Sequence, residues 1–336
     1  ESVRHVGGIQ QVLITFFYLF GISGNIVALV ILSRNDNPRI RKHSLMLKCL
    51  AANDLLALVE SFILMYIRLY LAPKVAETQW FCSLRVIGRV FGFGSGCVAT
   101  VMAVERCFAL THPFLYQKHV TLWSIKVTIL LLWMTTVVLV CLPFAGFGLY
   151  YDEQKQPAKR CVRYRFATKY KDIAYAYLVF GFVVGLCVCI VVCNLAVIRV
   201  LSDKRRLIRR VSRCSKSSGH YDSFRSTINK TTQEELAFAK LMGIICIFFV
   251  ICWLPQMITI VVAQHGHHRE NLLFYRIADI LIALNFTIDP YLYVLFRRNR
   301  RRGLKRIFKP FCHYCYKDTP FPTSTLTGNH IKVTPL

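Results

Sequence analysis

Long runs of apolar residues, each ended by polar or basic residues, are the main pattern along this chain. Residues 127–148, 173–198 and 241–263 contain no charged residue. Each run meets the roughly 20 residues that a helix needs to cross about 30 Å of hydrocarbon. Only helices or closed barrels span a membrane, and these runs are too continuous for barrel strands. The pattern therefore predicts an all-α membrane protein.

The same reading along the whole chain predicts seven spans, with no segment left that is long enough for a separate soluble domain. Residues 1–8 precede the bundle, a basic loop occupies 202–233, and a tail follows at 297–336. We therefore expect a seven-transmembrane helix bundle over residues 9–296. The predicted spans are 9–33, 43–71, 82–109, 123–147, 172–201, 235–264 and 272–296.

Lysine and arginine concentrate in the loop after the first span, in the loop at 202–233 and at the start of the tail. Such residues accumulate on the cytoplasmic side of membrane proteins. We therefore expect a multi-pass plasma-membrane protein with an extracellular N-terminus. These loops account for most of the net charge of +26. They favour contact with anionic membrane lipids and a cytoplasmic partner, and we expect no nucleic-acid partner.

The outer face has two features of its own. The loop at 148–171 is basic, against the general trend of the charges. Of the fourteen cysteines, only Cys82 and Cys161 lie at this face, where oxidation is possible. A bridge between them would pin the loop to the outer end of the third span.

Arginines in the outer halves of the spans suggest a binding site. Arg85 and Arg89 lie four residues apart on one helix face, and Arg68 and Arg276 lie at corresponding depths. Cations that line an apolar cavity favour an anionic amphiphile, whose carboxylate could pair with a guanidinium in bidentate fashion. The alternative is that these arginines extend to lipid headgroups, above all Arg68.

The tail opens with a short, basic amphipathic stretch at 296–311, followed by Cys312 and Cys315. We expect an interfacial cytoplasmic helix anchored by palmitoyl groups on these cysteines. A solvated basic tail is the alternative.

Six of the predicted spans each contain a different short motif. The motifs are Gly24-Asn25, Leu50-Ala51-Ala52-Asn53-Asp54, Cys82 with Glu105-Arg106-Cys107, Trp133, Cys252-Trp253-Leu254-Pro255, and Asp289-Pro290-Tyr291-Leu292-Tyr293.

With these motifs the chain resembles class A (rhodopsin-like) G-protein-coupled receptors over nearly all of its length. The resemblance implies an agonist-driven switch in which Arg106 pairs with Glu105 and Glu235 in the inactive state. Glu235 could instead be a first-turn acid favoured by the helix dipole. The resemblance also places Asp289, Pro290 and Tyr293 in the switch. It implies a heterotrimeric G protein and arrestin as partners.

The resemblance further implies a polar pocket in mid-membrane, which a sodium ion with waters could occupy. Protonation of one carboxyl is the alternative. No other metal is expected. Trp253 would lie beneath the outer cavity, next to the kink that Pro255 produces. The expected pocket residues are Asp54, Ser95, Asn285 and Asp289.

Within class A, several segments look like prostanoid receptors. Residues 142–150 resemble that family's entry to the second outer loop. Tyr151 and Pro157 then match its Tyr-x-x-Gln and Pro-x-x-x-Cys patterns, and Asp289 replaces the commoner Asn. The resemblance implies a binding site for a prostaglandin-like lipid acid. We expect this site to include Arg85, Arg89, Tyr151, Pro157, Trp253 and Arg276.

The chain also departs from the prostanoid pattern. The family's Gly-Thr-Trp before the loop cysteine is Ala158-Lys159-Arg160 here, and its ligand-clamping arginine would fall at Ile280. Arg276 lies four residues earlier, about 6 Å along a helix axis. Trp253 is unusual for these receptors, and the spacing from Cys82 to Arg106 is one residue short. The departures allow the ligand to sit differently, or to be a related lipid acid.

The leading hypothesis is a receptor for a prostaglandin E2-type anionic lipid that activates a G protein, with a lean toward raising cyclic AMP. An acidic peptide or another anionic metabolite is the alternative within the fold. A transporter or lipid enzyme is the alternative from another class. The sequence contains no inverted repeat, no His/Glu metal constellation and no nucleophile–base spacing, so we expect no enzyme and no catalytic residue.

Overall fold

The computed structural model describes residues 8–34, 41–71, 75, 78–154, 160–214, 222–265 and 271–295. Pro157, the amphipathic stretch, the tail at 297–336, and the anchor cysteines Cys312 and Cys315 lie outside these ranges. The predictions made for them stay predictions.

The described residues form α-helices in the following order: α1 (Gly8–Ser33), α2 (Arg41–Tyr66), α3 (Gln79–Ile87), α4 (Arg89–Thr111), α5 (Pro113–His119), α6 (Leu122–Cys141), α7 (Tyr170–Cys214), α8 (Asp222–Gln264) and α9 (Leu272–Leu295). A π-helical turn, Ile67–Leu71, extends α2. Two 3-10 turns cover Leu142–Ala145 and Tyr164–Phe166.

Six stretches of these helices are long and apolar enough to cross a membrane: Gln11–Ser33, Arg41–Leu69, Gln79–Thr111, Leu122–Ala145, Tyr170–Asp203 and Ala239–Gln264. Helix α9, with 24 residues, supplies the seventh span and carries three charged residues. The seven predicted spans therefore correspond to α1, α2, α3 with α4, α6, α7, α8 and α9.

The third span occupies the centre of the bundle. Within an 18-residue apolar segment of Gln79–Thr111, 83% of the residues are buried inside the structure. The corresponding share in Leu122–Ala145 is 22%. The large apolar side chains of Leu130, Leu131 and Val138 on α6 are 59–62% exposed. In a bilayer such side chains contact lipid, so their exposure agrees with a membrane-spanning bundle.

The segment 202–233, expected to be a basic cytoplasmic loop between two spans, is helical over 202–214 and 222–233. Helix α7 continues to Cys214, and α8 already begins at Asp222. The segment 202–214 contains no glycine or proline, and its lysines and arginines are good helix formers. Both helices therefore extend well beyond the last apolar residue that marks the membrane.

The third span breaks at Gly88, between α3 and α4. The side chain of Glu60, on α2, lies against this glycine, and any Cβ at position 88 would overlap its carboxylate. The missing side chain thus allows an acid on α2 to approach the backbone of the central span.

The second outer loop is fixed to the bundle as predicted. Cys82 and Cys161 form a disulfide with a Cα–Cα distance of 5.2 Å. Beside it, Tyr151 and Cys161 form an isolated antiparallel bridge, in which the amide of Val162 donates to the carbonyl of Tyr150 at 3.0 Å. The loop therefore runs back across the outer end of the third span.

Candidate functional site

The loop arginine Arg165 lies between the outer ends of α8 and α9. The turn Tyr164–Phe166 carries it there, and its side chain is only 3% exposed. Its Nη1 donates to Gln256 Oε1 at 3.4 Å and to Thr259 Oγ1 at 3.3 Å. Its Nη2 donates to both carboxylate oxygens of Asp279, at 3.3 and 3.2 Å. One buried guanidinium thus joins the loop to two spanning helices.

The turn around Arg165 is held on both sides. Gln264 Nε2 donates to the carbonyls of Arg165 and Ala167, at 3.1 and 3.2 Å. The guanidinium also lies over the rings of Phe166 and Tyr275, 5.4 and 5.0 Å from their centroids, a favourable cation–π arrangement. Burial lowers the pKa of Arg165, and the neighbouring positive charge of Arg163 lowers it further.

Asp279 serves a second arginine as well. Arg163 Nη1 donates to its Oδ2, and both side chains of this pair are about one-third exposed. One carboxylate on α9 therefore balances two guanidinium groups from the outer loop.

Arg85 and Arg89 add further positive charge nearby. The guanidinium carbon of Arg89 lies 4.7 Å from the centroid of the Tyr164 ring. Both arginines are within electrostatic range of Glu60, whose Oε1 is buried without a hydrogen-bond partner among the described residues. Across the described part of this vestibule, Arg85, Arg89, Arg163 and Arg165 face two acids, Glu60 and Asp279. We call these six residues the outer charge cluster.

The structure brings together only part of the predicted ligand site. Arg85 and Arg89 belong to the outer charge cluster, whereas Tyr151 lies in the backbone bridge to Cys161. Arg276 is exposed on α9 and does not join the cluster, and Arg68 is exposed on the π-helical turn.

Glu60 and Asp279 were missed as site residues. A charged residue inside an apolar span is costly and marks a functional position, which was the available signal. Residue spacing alone does not say that Asp279, rather than Arg276, faces the loop.

Deeper in the bundle, Trp253 is buried at 3% exposure. Its ring packs on Phe249 and Phe93, with centroids 5.2 and 5.7 Å away. Its indole Nε1 donates to Asn285 Oδ1 at 3.0 Å. Trp253 therefore connects an aromatic layer to the polar residues below it.

The four residues predicted to form the polar pocket are fully or almost fully buried. Ser95 Oγ donates to Asp54 Oδ1 at 2.6 Å, and Asn285 Nδ2 donates to both oxygens of Asp289 at 3.2 Å. Asp54 Oδ2 is buried without a hydrogen-bond partner in the described part of the chain. Carboxylate and hydroxyl oxygens suit a hard cation, so this set fits a sodium ion chemically.

At the opposite end of the third span, Arg106 is paired with its neighbour. Its Nε and Nη2 donate to the two carboxylate oxygens of Glu105, both at 2.5 Å. His43, near the start of α2, lies 3.1 Å from the same Nη2 and 3.9 Å from Glu105 Oε1. Both members of the pair are buried. Sequence reasoning identified the pair but not His43.

Tyr116 on α5 also contacts Glu105. We call Glu105, Arg106, His43 and Tyr116 the inner cluster. Its hydroxyl donates to Glu105 Oε1 at 2.5 Å. Burial raises the pKa of Tyr116, and the charge of Glu105 raises it further. Lys42 Nζ lies 4.6 Å from the centroid of the tyrosine ring and donates to the carbonyl of Val120 at 2.5 Å. Side chains from three helices, α2, α4 and α5, therefore converge on one carboxylate.

For the other predicted switch residues, the structure gives the helix but not every side chain. Pro255 and Pro290 lie inside α8 and α9, and Pro290 is buried beside Asp289. Glu235 lies in α8 and Tyr293 in α9, but their side chains are outside the described part of the structure. A pairing of Arg106 with Glu235 stays a prediction.

Comparison with known proteins places these clusters in a family. Residues 24–293 match the family described as 7 transmembrane receptor (rhodopsin family). The prostaglandin E2 receptor EP3 subtype of Homo sapiens is 25% identical over 91% of this chain and 80% of its own length. The prostacyclin receptor of Homo sapiens is 27% identical over 89% of this chain and 76% of its own length.

Rhodopsins are also similar to this chain. A Gq-coupled rhodopsin of Mizuhopecten yessoensis is 26% identical over 90% of this chain, which spans 60% of that protein. The crystal structure of squid rhodopsin superposes with a TM-score of 0.72, at 18% identity, over 90% of this chain and 85% of that one. At this identity the squid structure supports the fold alone.

Proposed function

This chain belongs to the rhodopsin family of seven-transmembrane receptors, and on that premise we propose that its ligand is a prostaglandin-like lipid acid. Family membership makes the protein a multi-pass plasma-membrane receptor that acts through a heterotrimeric G protein, and not an enzyme. The class A resemblance with prostanoid features, the seven-helix fold and the absence of enzymatic function, all expected from the sequence, are thereby confirmed.

The observation that carries the ligand proposal is the outer charge cluster. Its four arginines outnumber its two acids, and Asp279 is shared between Arg163 and Arg165. A lipid carboxylate would supply the missing negative charge, while its chain would lie against apolar side chains of the spans. Two receptors that are similar over most of this chain are named for prostaglandin E2 and prostacyclin.

Radioligand binding to membranes from cells that express the full chain tests this proposal. Tritiated prostaglandin E2 should bind saturably, and its methyl ester should compete at least tenfold more weakly, because a charged pair is worth about 1.4 kcal/mol or more. An acidic peptide and a small dicarboxylate complete the panel. Displacement by either of these, with no binding of any lipid acid, would select the alternative ligand class.

The inner cluster supports a proposal for the switch. In the inactive receptor, Arg106 is held by Glu105, and agonist binding releases it toward the G protein as α8 moves outward. Glu235, in α8, is the proposed second partner of Arg106. Asp289, Pro290 and Tyr293 in α9 would change their packing together with this movement of α8.

The polar pocket supports a sodium site in the inactive state. Asp54, Ser95, Asn285 and Asp289 would hold the ion, and the cation would pair with Asp54 Oδ2, which is buried without a hydrogen-bond partner among the described residues. The ion would balance two buried carboxylates of like charge.

The proposals for membrane orientation and signalling rest on the position of the disulfide and on similarity to prostanoid receptors. We place the N-terminus outside the cell, on the side of the Cys82–Cys161 disulfide, with arrestin binding on the opposite face. An increase in cyclic AMP is proposed only from similarity to prostanoid receptors. A cyclic-AMP and calcium assay in transfected cells, with prostaglandins and other oxygenated fatty acids, tests this coupling.

A further inference from the structure

We infer that Arg165 is the carboxylate anchor of the ligand site and that Asp279 occupies this anchor until a lipid acid displaces it. This inference rests on the proposed function and deepens it. It moves the anchor from the spanning helices, where Arg85, Arg89 and Arg276 were the expected candidates, to the second outer loop.

The guanidinium of Arg165 has more donors than its described partners use. Its four contacts with Gln256, Thr259 and Asp279 are 3.2–3.4 Å long. Hydrogen bonds from a guanidinium to a carboxylate are usually about 2.7–2.9 Å long. Its Nε is buried and has no partner among the described residues, and the same is true of the nearby Tyr275 hydroxyl. A buried donor without an acceptor destabilises the state that contains it.

The charge balance around Asp279 also supports Arg165 as the anchor. Asp279 neutralises Arg165 only in part, because Arg163 bonds to the same carboxylate. A second carboxylate at Arg165 would let Asp279 pair with Arg163 alone. The incoming group could use Nη2 and Nε together, in the bidentate geometry that Arg prefers. The Asp279 carboxylate therefore acts as a stand-in for the ligand.

Burial separates Arg165 from the other arginines. Its side chain is 3% exposed, whereas Arg276 is exposed and Arg85 and Arg89 are half-buried. A pair shielded from water is stronger than a hydrated one. Arg165 also contacts Gln256, three residues after Trp253 in α8. Ligand binding at this guanidinium would therefore alter a contact with α8, the helix proposed to move outward on activation.

Asp279→Asn provides the sharpest test, because it removes the competing charge and leaves every arginine in place. In membranes that contain the full chain, tritiated prostaglandin E2 should bind Asp279→Asn about tenfold more tightly than the unsubstituted receptor. Binding of the methyl ester should stay the same. Arg165→Gln should lose most of the preference for acid over ester, and Arg165→Lys should recover part of it.

Asp152→Asn is the matched control. It removes a carboxylate from the same outer loop, where Asp152 Oδ1 accepts the amide of Gln154 at 3.2 Å. The described hydrogen bonds of Arg165 go to Gln256, Thr259 and Asp279 instead. Its affinity should equal that of the unsubstituted receptor. Cell-surface staining of each variant ensures that folded receptors are compared.

The outcomes separate the two proposals. If no lipid acid binds the unsubstituted receptor, the proposed function fails and this inference fails with it. If prostaglandin E2 binds but Asp279→Asn binds it equally or less tightly, only this inference fails. Loss of the acid preference in Arg276→Gln, with Arg165→Gln unaffected, would return the anchor to α9.

Discussion

Tyr116→Phe is the change that isolates one contact of the inner cluster. It removes the hydroxyl that donates to Glu105 Oε1 at 2.5 Å and keeps the ring that Lys42 covers at 4.6 Å. Glu105 retains both hydrogen bonds from Arg106. The substitution therefore weakens the inactive arrangement without dismantling it.

The expected magnitude follows from the kind of hydrogen bond. A hydrogen bond to an ionised group contributes about 1.5–3 kcal/mol, and we take the lower end because Tyr116 is only half-buried. A change of about 1.4 kcal/mol is a factor of ten in an equilibrium constant, so an active population of about 1% would rise to about 9%. Ligand-independent signalling should increase accordingly.

Basal nucleotide exchange measures this directly. Membranes with equal receptor density are mixed with G protein, and GTPγS uptake is followed without ligand. Tyr170→Phe is the control, because Tyr170 is 94% exposed at the start of α7 and its hydroxyl bonds to no described residue. Equal basal exchange in Tyr116→Phe and the unsubstituted receptor, at equal surface density, would refute the reasoning.

The pH dependence gives a second check on the same contact. Burial and the charge of Glu105 raise the pKa of Tyr116, so the protonated donor form is favoured in the folded protein. The contact is fully present below the ordinary tyrosine pKa of about 10 and is lost only as pH rises through the raised value. The difference between Tyr116→Phe and the unsubstituted receptor should therefore persist from about pH 6 to about pH 9. A difference that disappears within this range would contradict the assignment of Tyr116 as the donor.

Three further outcomes are expected. Glu235→Ala should raise basal signalling if Arg106 pairs with Glu235 in the inactive state; an unchanged basal level in the GTPγS assay argues against that lock. Cys161→Ser should lower surface expression and thermal stability by removing a loop constraint of about 2–5 kcal/mol, and a thermal shift in detergent measures this. Gly88→Ala should lower the melting temperature because its Cβ meets the Glu60 carboxylate, and Glu60→Ala should restore it in the double variant. Additive losses in that pair would show that the overlap is not the cause.

The spans follow from the sequence because a bilayer leaves the backbone few choices. Without water to bond to, peptide groups must pair within a helix, so an apolar run of sufficient length predicts its own structure. The disulfide was also predictable, since only Cys82 and Cys161 lay where oxidation is possible. The helical structure within 202–233 has a local cause. The apolar pattern marks where α7 leaves the membrane, but the propensity of lysine and arginine decides where its helix ends.

The motifs in the sequence located the polar pocket and the Glu105–Arg106 pair, because each lies on a span whose depth is set by hydropathy. They did not identify the partners from other helices. His43 and Tyr116 meet Glu105 only because α2 and α5 pack against the inner end of α4. Their distance along the chain gives no hint of this contact.

The outer charge cluster marks the limit of sequence reasoning most clearly. Hydropathy alone set the depth of Arg276 and Asp279, which are three residues apart on α9. Which of them faces the outer loop depends on the rotation of α9 about its axis. That rotation is fixed by packing against neighbouring helices, and the depth of a residue along α9 does not determine it. The tertiary structure turned Asp279 inward, toward Arg163 and Arg165, and left Arg276 exposed.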